Sequence, residues 1–356
     1  MKILREGKAK FLGKLTVWRR KFQSNRLWVI TNRVLFVRSS LIKIDGFLPG
    51  DWVYRRVGSN TRDVTSDSVA ALVMDLGRFG NALTRVARAA SLAARLGWPF
   101  LLIPRIGFFP GYAKLVSRND FLVGDGLRVS FGQESWRGQR EPRTLIRRDF
   151  TSAEIPPAAR GKGIQSQVAT AMFPGLAPQR KTDAGRLTIH LRSGDIFYRD
   201  GVFNWGQPPL AYYILVLESE EWSSVSIVTE DQQSPVLGPL IRYCDSENLD
   251  CVVQSSSFKD DVLELAGATS LVAGRGTFVP AIVLIAPFLR TLYYFEDRCV
   301  LHGSAAPIQV RQVVDRAGVY KSEVLGGRWV NSPEQRALMT QYPTRNLGWS
   351  ETATLD

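Results

Sequence analysis

Two hydrophobic periods alternate along this chain. Short runs of consecutive apolar residues, rich in Val, Ile and Leu, are separated by longer stretches in which apolar residues recur every three or four positions. The first kind reads as buried strand and the second as the helix that covers it. Residues 27–44, rich in β-branched and aromatic side chains, read as one or two strands, and 45–67 are rich in turn formers. A strand follows at 69–74, a glycine-containing turn at 77–81, a helix at 82–96 with Gly97 placed to cap it, and a strand at 99–103. That is a βαβ unit. Residues 117–150 are polar, basic and weakly patterned, and no element is assigned there. Residues 174–185 carry prolines, glycines and charges and read as an interdomain linker.

Beyond that stretch the alternation is clearer. Strands are predicted at 187–191, 225–229, 251–254, 270–273 and 291–295, and helices at 210–217, 236–247, 260–268 and 280–286. Strand–helix alternation at this spacing predicts an α/β fold with parallel sheets covered by helices on both faces. Three segments result: a leading arm and strands over 1–60, one α/β domain over 61–178 and a second over 179–345. Ligands of such sheets bind beyond the carboxyl ends of the strands.

Charge changes the picture at one end. The first 44 residues hold twelve lysines and arginines and a single acid, Glu6. They therefore carry +11 of the net +13, and the other 312 residues only +2. A nucleic-acid-binding domain spreads its basic surface over the fold. A nearly neutral body argues against that partner. Within the arm, Phe11, Leu15, Trp18 and Phe22 share one helical face, with Lys14, Arg19, Arg20 and Lys21 largely off it. Two readings stand: an anchor on an anionic membrane surface, or a helix packed on the body with its charges solvated. No apolar run approaches the ~20 residues of a membrane span. No signal peptide is evident. Three cysteines, Cys244, Cys251 and Cys299, and two histidines give neither a disulfide framework nor a zinc set. A cytoplasmic, reducing location is expected, and on the anchor reading the arm holds the protein at the inner face of the membrane.

Candidate chemistry sits where strands end. His190-Leu191-Arg192-Ser193-Gly194-Asp195 closes the 187–191 strand, and alternation points His190 and Arg192 the same way. Arg192 offers a rigid fork of donors suited to a diphosphate. Asp195 could hold that fork, accept from a ligand hydroxyl, or cap the next turn. Gly274-Arg275-Gly276-Thr277-Phe278 lies between a strand and a helix, where glycines and free amides let phosphate oxygens approach. Gly77-Arg78-Phe79-Gly80-Asn81 is a similar turn, with Asn81 either a helix cap or a ligand contact. Thr229-Glu230-Asp231 and Asp260-Asp261 could bind a metal, but acids of this kind also cap helix starts, and capping is the preferred reading.

Taken together, these motifs resemble the GDP-fucose-dependent fucosyltransferase superfamily of α-1,2-, α-1,6- and protein O-fucosyltransferases. GRFGN at 77–81, HLRSGD at 190–195, and the segment from Asp261 through Gly276, Thr277 and Phe278 match its motifs in order. Tyr212-Tyr213 and the acids at 229–231 fall where that family has a tyrosine-containing helix and an acidic strand end. The match covers roughly residues 70–295. The resemblance implies a GT-B fold, two Rossmann-like domains facing a cleft, with the acceptor on the first and the nucleotide sugar mostly on the second. It implies inversion at the sugar carbon and neither metal nor cofactor. It places His190, Arg192, Gly276, Thr277, Phe278, Asp261 and Gly80 around the donor, with Arg192, Asp195 and Asn81 at the reacting groups. Ser193 stands where many members have a second arginine, and Gly-Thr-Phe where they have Ser-Ser-Phe or a close variant. The expected partners are GDP-fucose and a glycan acceptor, such as a surface polysaccharide or lipid-linked oligosaccharide. Two alternatives are the same fold with another nucleotide sugar, and a degenerate transferase that only binds glycan or membrane. Asp195, Glu230 and Asp231 are equal candidates for the base.

Overall fold

The structure, a computed structural model, describes residues 53–56, 69–72, 78–95, 97–103, 115–116, 120–124, 126–131, 144–147, 163–198, 205–296, 307–326, 328–350 and 353–355. The basic segment 1–44 with its predicted strands, Gly77 and Cys299 lie outside them. Residues 54–356 form one compact unit built on two sheets.

The first sheet contains β1 (Val53–Arg56), β2 (Val69–Leu72), β3 (Phe100–Ile103), β4 (Asp120–Val123), β5 (Leu127–Phe131) and β6 (Thr144–Arg147), in the order β1-β6-β2-β3-β5-β4. β2 runs parallel to β3 and β6, and β3 to β5. The predicted βαβ unit is present, with α1 (Phe79–Arg95) between β2 and β3. The stretch 117–150 left unassigned holds three strands. Phe121 and Val123 on β4 and Leu127, Val129 and Phe131 on β5 are buried at period-two positions. The two strands pair antiparallel across a turn in which Gly124 and Gly126 take φ +53° and +109°. Helix α2 (Ile164–Met172) follows and packs on α1.

The second sheet is a doubly wound one. β7 (Arg186–Leu191), β8 (Ser224–Thr229), β9 (Asp250–Gln254), β10 (Ser270–Val272), β11 (Thr291–Phe295) and β12 (Ile308–Asp315) are all parallel and lie in the order β9-β8-β7-β10-β11-β12. Numbered from its own first strand this is 3-2-1-4-5-6, the Rossmann order. The helices are α3 (Leu210–Leu217), α4 (Leu237–Ser246), α5 (Phe258–Gly267), α6 (Phe278–Val283), α7 (Val319–Glu323) and α8 (Pro333–Gln341). β13 (Leu347–Trp349) and β14 (Ala353–Leu355) pair antiparallel with β12. The expected α/β class with parallel sheets therefore holds.

The junction near residue 178 differs from an open linker. Phe173 and Leu176 are fully buried, and the Thr182 amide donates to the Gly267 carbonyl (2.9 Å). One continuous hydrophobic cluster includes Leu83, Val86 and Phe173 from the first half and Val262, Leu271 and Ile282 from the second. The reason lies in α1, whose inward face is mostly alanine (Ala82, Ala87, Ala90, Ala93), so α6 can approach it closely. Phe79 then meets Phe173, Phe258 and Phe278 with ring centroids 5.5, 5.1 and 6.0 Å away. Burying a ring fully, as Phe79 and Phe173 are, is worth about 1.5–3 kcal/mol, with something further for edge-to-face geometry; Phe258 and Phe278 are partly buried. This cluster holds the start of α1 against the start of α6.

Candidate functional site

Strand order reverses between β7 and β10, and a crevice opens there beyond the carboxyl ends. It is a cavity of about 650 Å³ lined by residues 78–81 of the first half and by residues at or beyond the ends of β7, β8, β9 and β10 of the second, with Trp205. All nine residues expected at the site (Gly80, Asn81, His190, Arg192, Asp195, Asp261, Gly276, Thr277 and Phe278) line it.

The β7 end is built by alternation. Leu187, Ile189 and Leu191 enter the core on one face, so His190 falls on the other, where its ring lies 5.1 Å from that of Phe278. His190 is 9% exposed, and its Nδ1 has no hydrogen-bond partner. Burial, with the neighbouring Arg192 charge adding to it, pulls the imidazole down to about 3, so it is neutral at physiological pH. After Arg192 the chain turns at Gly194, φ +74°, into a 3-10 turn that carries Asp195. Arg192 Nη2 bonds Asp195 Oδ1 at 3.1 Å, while Arg78 Nη2 reaches the other oxygen at 3.0 Å. One carboxylate thus orients two guanidinium forks from two halves of the chain.

Ser193 performs a different task from the arginine it replaces in the resemblance. It is buried and donates to Asp231 Oδ1, which also accepts from the Gly194 amide (3.3 Å) and the Gln233 amide (2.8 Å). The Ser234 amide donates back to the Ser193 hydroxyl at 3.0 Å. Burial alone would raise the Asp231 carboxyl, but these bonds and one from Tyr198 hold it below the ordinary value. Asp231 is the staple that fastens the β7 turn to the β8 turn.

At the β10 end Gly274 is demanded by contact and Gly276 by its positive φ. A Cβ on Gly274 would stand 2.9 Å from the His190 carbonyl oxygen, and one on Gly276, φ +129°, would stand 3.5 Å from Arg192 Nη1. Arg192 therefore lies directly beside the loop that leads into α6. Thr277 is the N-cap of α6, whose first amides have no partner inside the helix. Arg275 is held by its amide on Gln207 Oε1 and by Nη1 on the Gly206 carbonyl, both at 3.0 Å.

Asn81 is not a cap. The helix begins two residues earlier, at Phe79, so Asn81 stands in its first turn and its Oδ1 accepts from the Thr277 hydroxyl at 2.8 Å. The Asp260 and Asp261 pair behaves as the capping reading expects. Ser257 caps α5 and exchanges hydrogen bonds with Asp260, while Asp261 Oδ1 accepts from Ser256 and Gln254.

Among the lining residues that escaped the sequence reading as site residues are Arg78, Arg275 and Trp205. Both arginines sit inside motifs already singled out, and a count of cations per glycine turn would have found them. Trp205, 52% exposed at the rim, follows no pattern and had no signal. The sequence matches no protein-family profile and no curated protein. Among solved structures the chain is similar to a crystal structure of POFUT1 in complex with GDP, at 12% identity and a TM-score of 0.38, covering 62% of this chain and 95% of that one; so loose an overlap assigns neither fold nor ligand.

Proposed function

We propose that this chain is an inverting glycosyltransferase that takes a nucleotide sugar, GDP-fucose, and transfers the sugar to a glycan hydroxyl. One observation carries the reading: at the switch point of a 3-2-1-4-5-6 sheet, Arg192 lies beside the Gly276–Phe278 loop, with Arg78 and Asn81 facing them from α1 and the residue before it. Breaking a glycosyl–diphosphate bond leaves negative charge on the phosphates. Guanidinium forks and loop amides fixed beforehand stabilise that charge without reorganising. Trp205 offers an exposed aromatic face at the rim for an acceptor sugar ring.

A thermal-shift screen of nucleoside diphosphates tests the donor. A ligand at 100 times its dissociation constant stabilises a protein by about 2.7 kcal/mol. GDP is expected to raise the melting midpoint, and UDP, CMP and ADP to leave it unchanged. A shift with UDP alone would replace the guanine reading, and no shift with any nucleotide would remove the transferase reading.

Turnover is expected to survive chelation by EDTA. Of the acids that could bridge a metal and a diphosphate, Asp231 is committed to the turn staple, Asp260 to the α5 cap, Asp261 to Ser256 and Gln254, and Asp195 to two arginines, which leaves Glu230 alone and no pair to hold an ion. Loss of transfer with EDTA and its recovery with magnesium or manganese would show that these acids act as ligands.

A further inference from the structure

Resting on that reading, we propose that Glu230 is the general base that takes the proton of the acceptor hydroxyl. Three acids follow β7 and β8, and their surroundings separate them. Asp195 is divided between Arg192 and Arg78. Asp231 accepts from Ser193, two amides and Tyr198. Glu230 lines the same cavity, yet among the described residues its carboxylate has no hydrogen bond and no ion pair within 4 Å. It lies against the β7 turn: a Cβ on Gly194 would come within 2.7 Å of its Cδ and 3.1 Å of Oε1. Glycine at 194 supplies the positive φ of the turn, and the Glu230 carboxylate rests in the space beside it.

The charged groups facing Glu230 are Arg78, Arg192, Asp195 and Asp231. Burial is the largest influence and lifts its carboxyl above the ordinary value; the two arginines oppose this and the two aspartates add to it. A carboxyl lifted in this way holds a proton more strongly than an unperturbed glutamate, which is the direction a general base needs. His190 cannot take the role, since its imidazole is held down to about 3.

The step balances. The acceptor oxygen forms its bond to the sugar's anomeric carbon as its proton passes to a Glu230 oxygen. The bond from that carbon to the diphosphate breaks on the opposite face, and its electron pair leaves with the nucleoside diphosphate beside Arg192. Glu230 then returns the proton to solvent.

The test compares wild type with Glu230→Gln, which has the same shape and cannot accept the proton. GDP-fucose is the probe, with water as acceptor and GDP release as the readout, alongside GDP affinity and melting midpoint. Wild-type kcat/KM is expected to fall on the acid side with a midpoint above the ordinary glutamate value, because the base must be ionised. In Glu230→Gln, turnover is expected to drop by about 10²–10⁴-fold and that acid limb to vanish. GDP affinity and melting midpoint are expected to stay near wild type, since the side chain makes no bond that the fold needs. Turnover within threefold of wild type, or an unchanged acid limb, would overturn the role of Glu230 while leaving the transferase reading intact. Failure of wild type itself to bind GDP or to hydrolyse GDP-fucose would overturn the transferase reading, and the base with it.

Discussion

Replacing Arg192 with alanine is expected to lower turnover by about 10²–10³-fold, equivalent to roughly 2–4 kcal/mol of transition-state stabilisation. The size of the effect follows from position. Arg192 emerges from the central strand of the doubly wound sheet, with Nη2 on Asp195 and Nη1 beside Gly276. Its Nε is buried without a partner, so a donor group is already desolvated and unspent. A diphosphate oxygen is the group best suited to take it. Arg192→Lys is expected to recover little, because an ammonium has neither the planar fork nor the reach to hold Asp195 and a phosphate together. The fold should tolerate both changes, since Asp195 keeps its bond to Arg78 and the staple through Ser193 and Asp231 does not involve Arg192. The measurement is kcat and KM for donor hydrolysis or transfer, with circular dichroism and melting as controls. Near-wild-type turnover in Arg192→Ala would remove the diphosphate assignment.

The doubly wound half could be read from the sequence because parallel strands covered on both faces are dominated by apolar residues: 292–295 is an unbroken run, and 187–191 and 225–229 are interrupted only by Thr, His and Ser. β12 escaped because it alternates: in Ile308–Asp315 the apolar positions are interleaved with Gln309, Arg311 and Gln312, and the strand lies near the sheet edge. β5 did carry a signal, the alternation Leu-Arg-Val-Ser-Phe directly after Gly-Asp-Gly, but it was hidden among basic residues. The motif positions proved to be strand ends and helix starts, as their residue types require. What could not be read was pairing across distance. Ser193 and Asp231 are 38 positions apart, and nothing local to either announces the bond between them. The start of α1 was misjudged for a related reason. Glycine and asparagine are poor helix formers, so Phe79-Gly80-Asn81 looked like a turn. Their presence in the helix is explained only by the chain that crosses it nearly 200 residues later.

That crossing makes Gly80→Ala the second change with a large expected effect. A Cβ at Gly80 would stand 2.8 Å from the carbonyl carbon and oxygen of Thr277 and 2.9 Å from the Phe278 nitrogen. These are backbone atoms, and no rotamer change relieves them. Either α1 withdraws or the 276–278 loop moves away from Arg192. Two stability terms oppose one another: alanine gains up to about 1 kcal/mol of helix propensity over glycine, while overpacking costs about 1–3 kcal/mol. The net loss of stability is therefore expected to stay under about 2 kcal/mol, and the protein to remain folded. Function has no such compensation. The shift separates Asn81 from Thr277, whose side chains meet at 2.8 Å, and moves the loop amides relative to the Arg192 fork. Catalytic groups displaced by about 1 Å lose on the order of 10²-fold in rate. Gly80→Ala is accordingly expected to lower nucleotide affinity and turnover together, with only a small change in melting midpoint. Calorimetric titration with GDP beside a melting curve separates the two effects. Unchanged affinity and turnover would mean that the loop accommodates the methyl group without moving, and that the contact between α1 and α6 is packing alone.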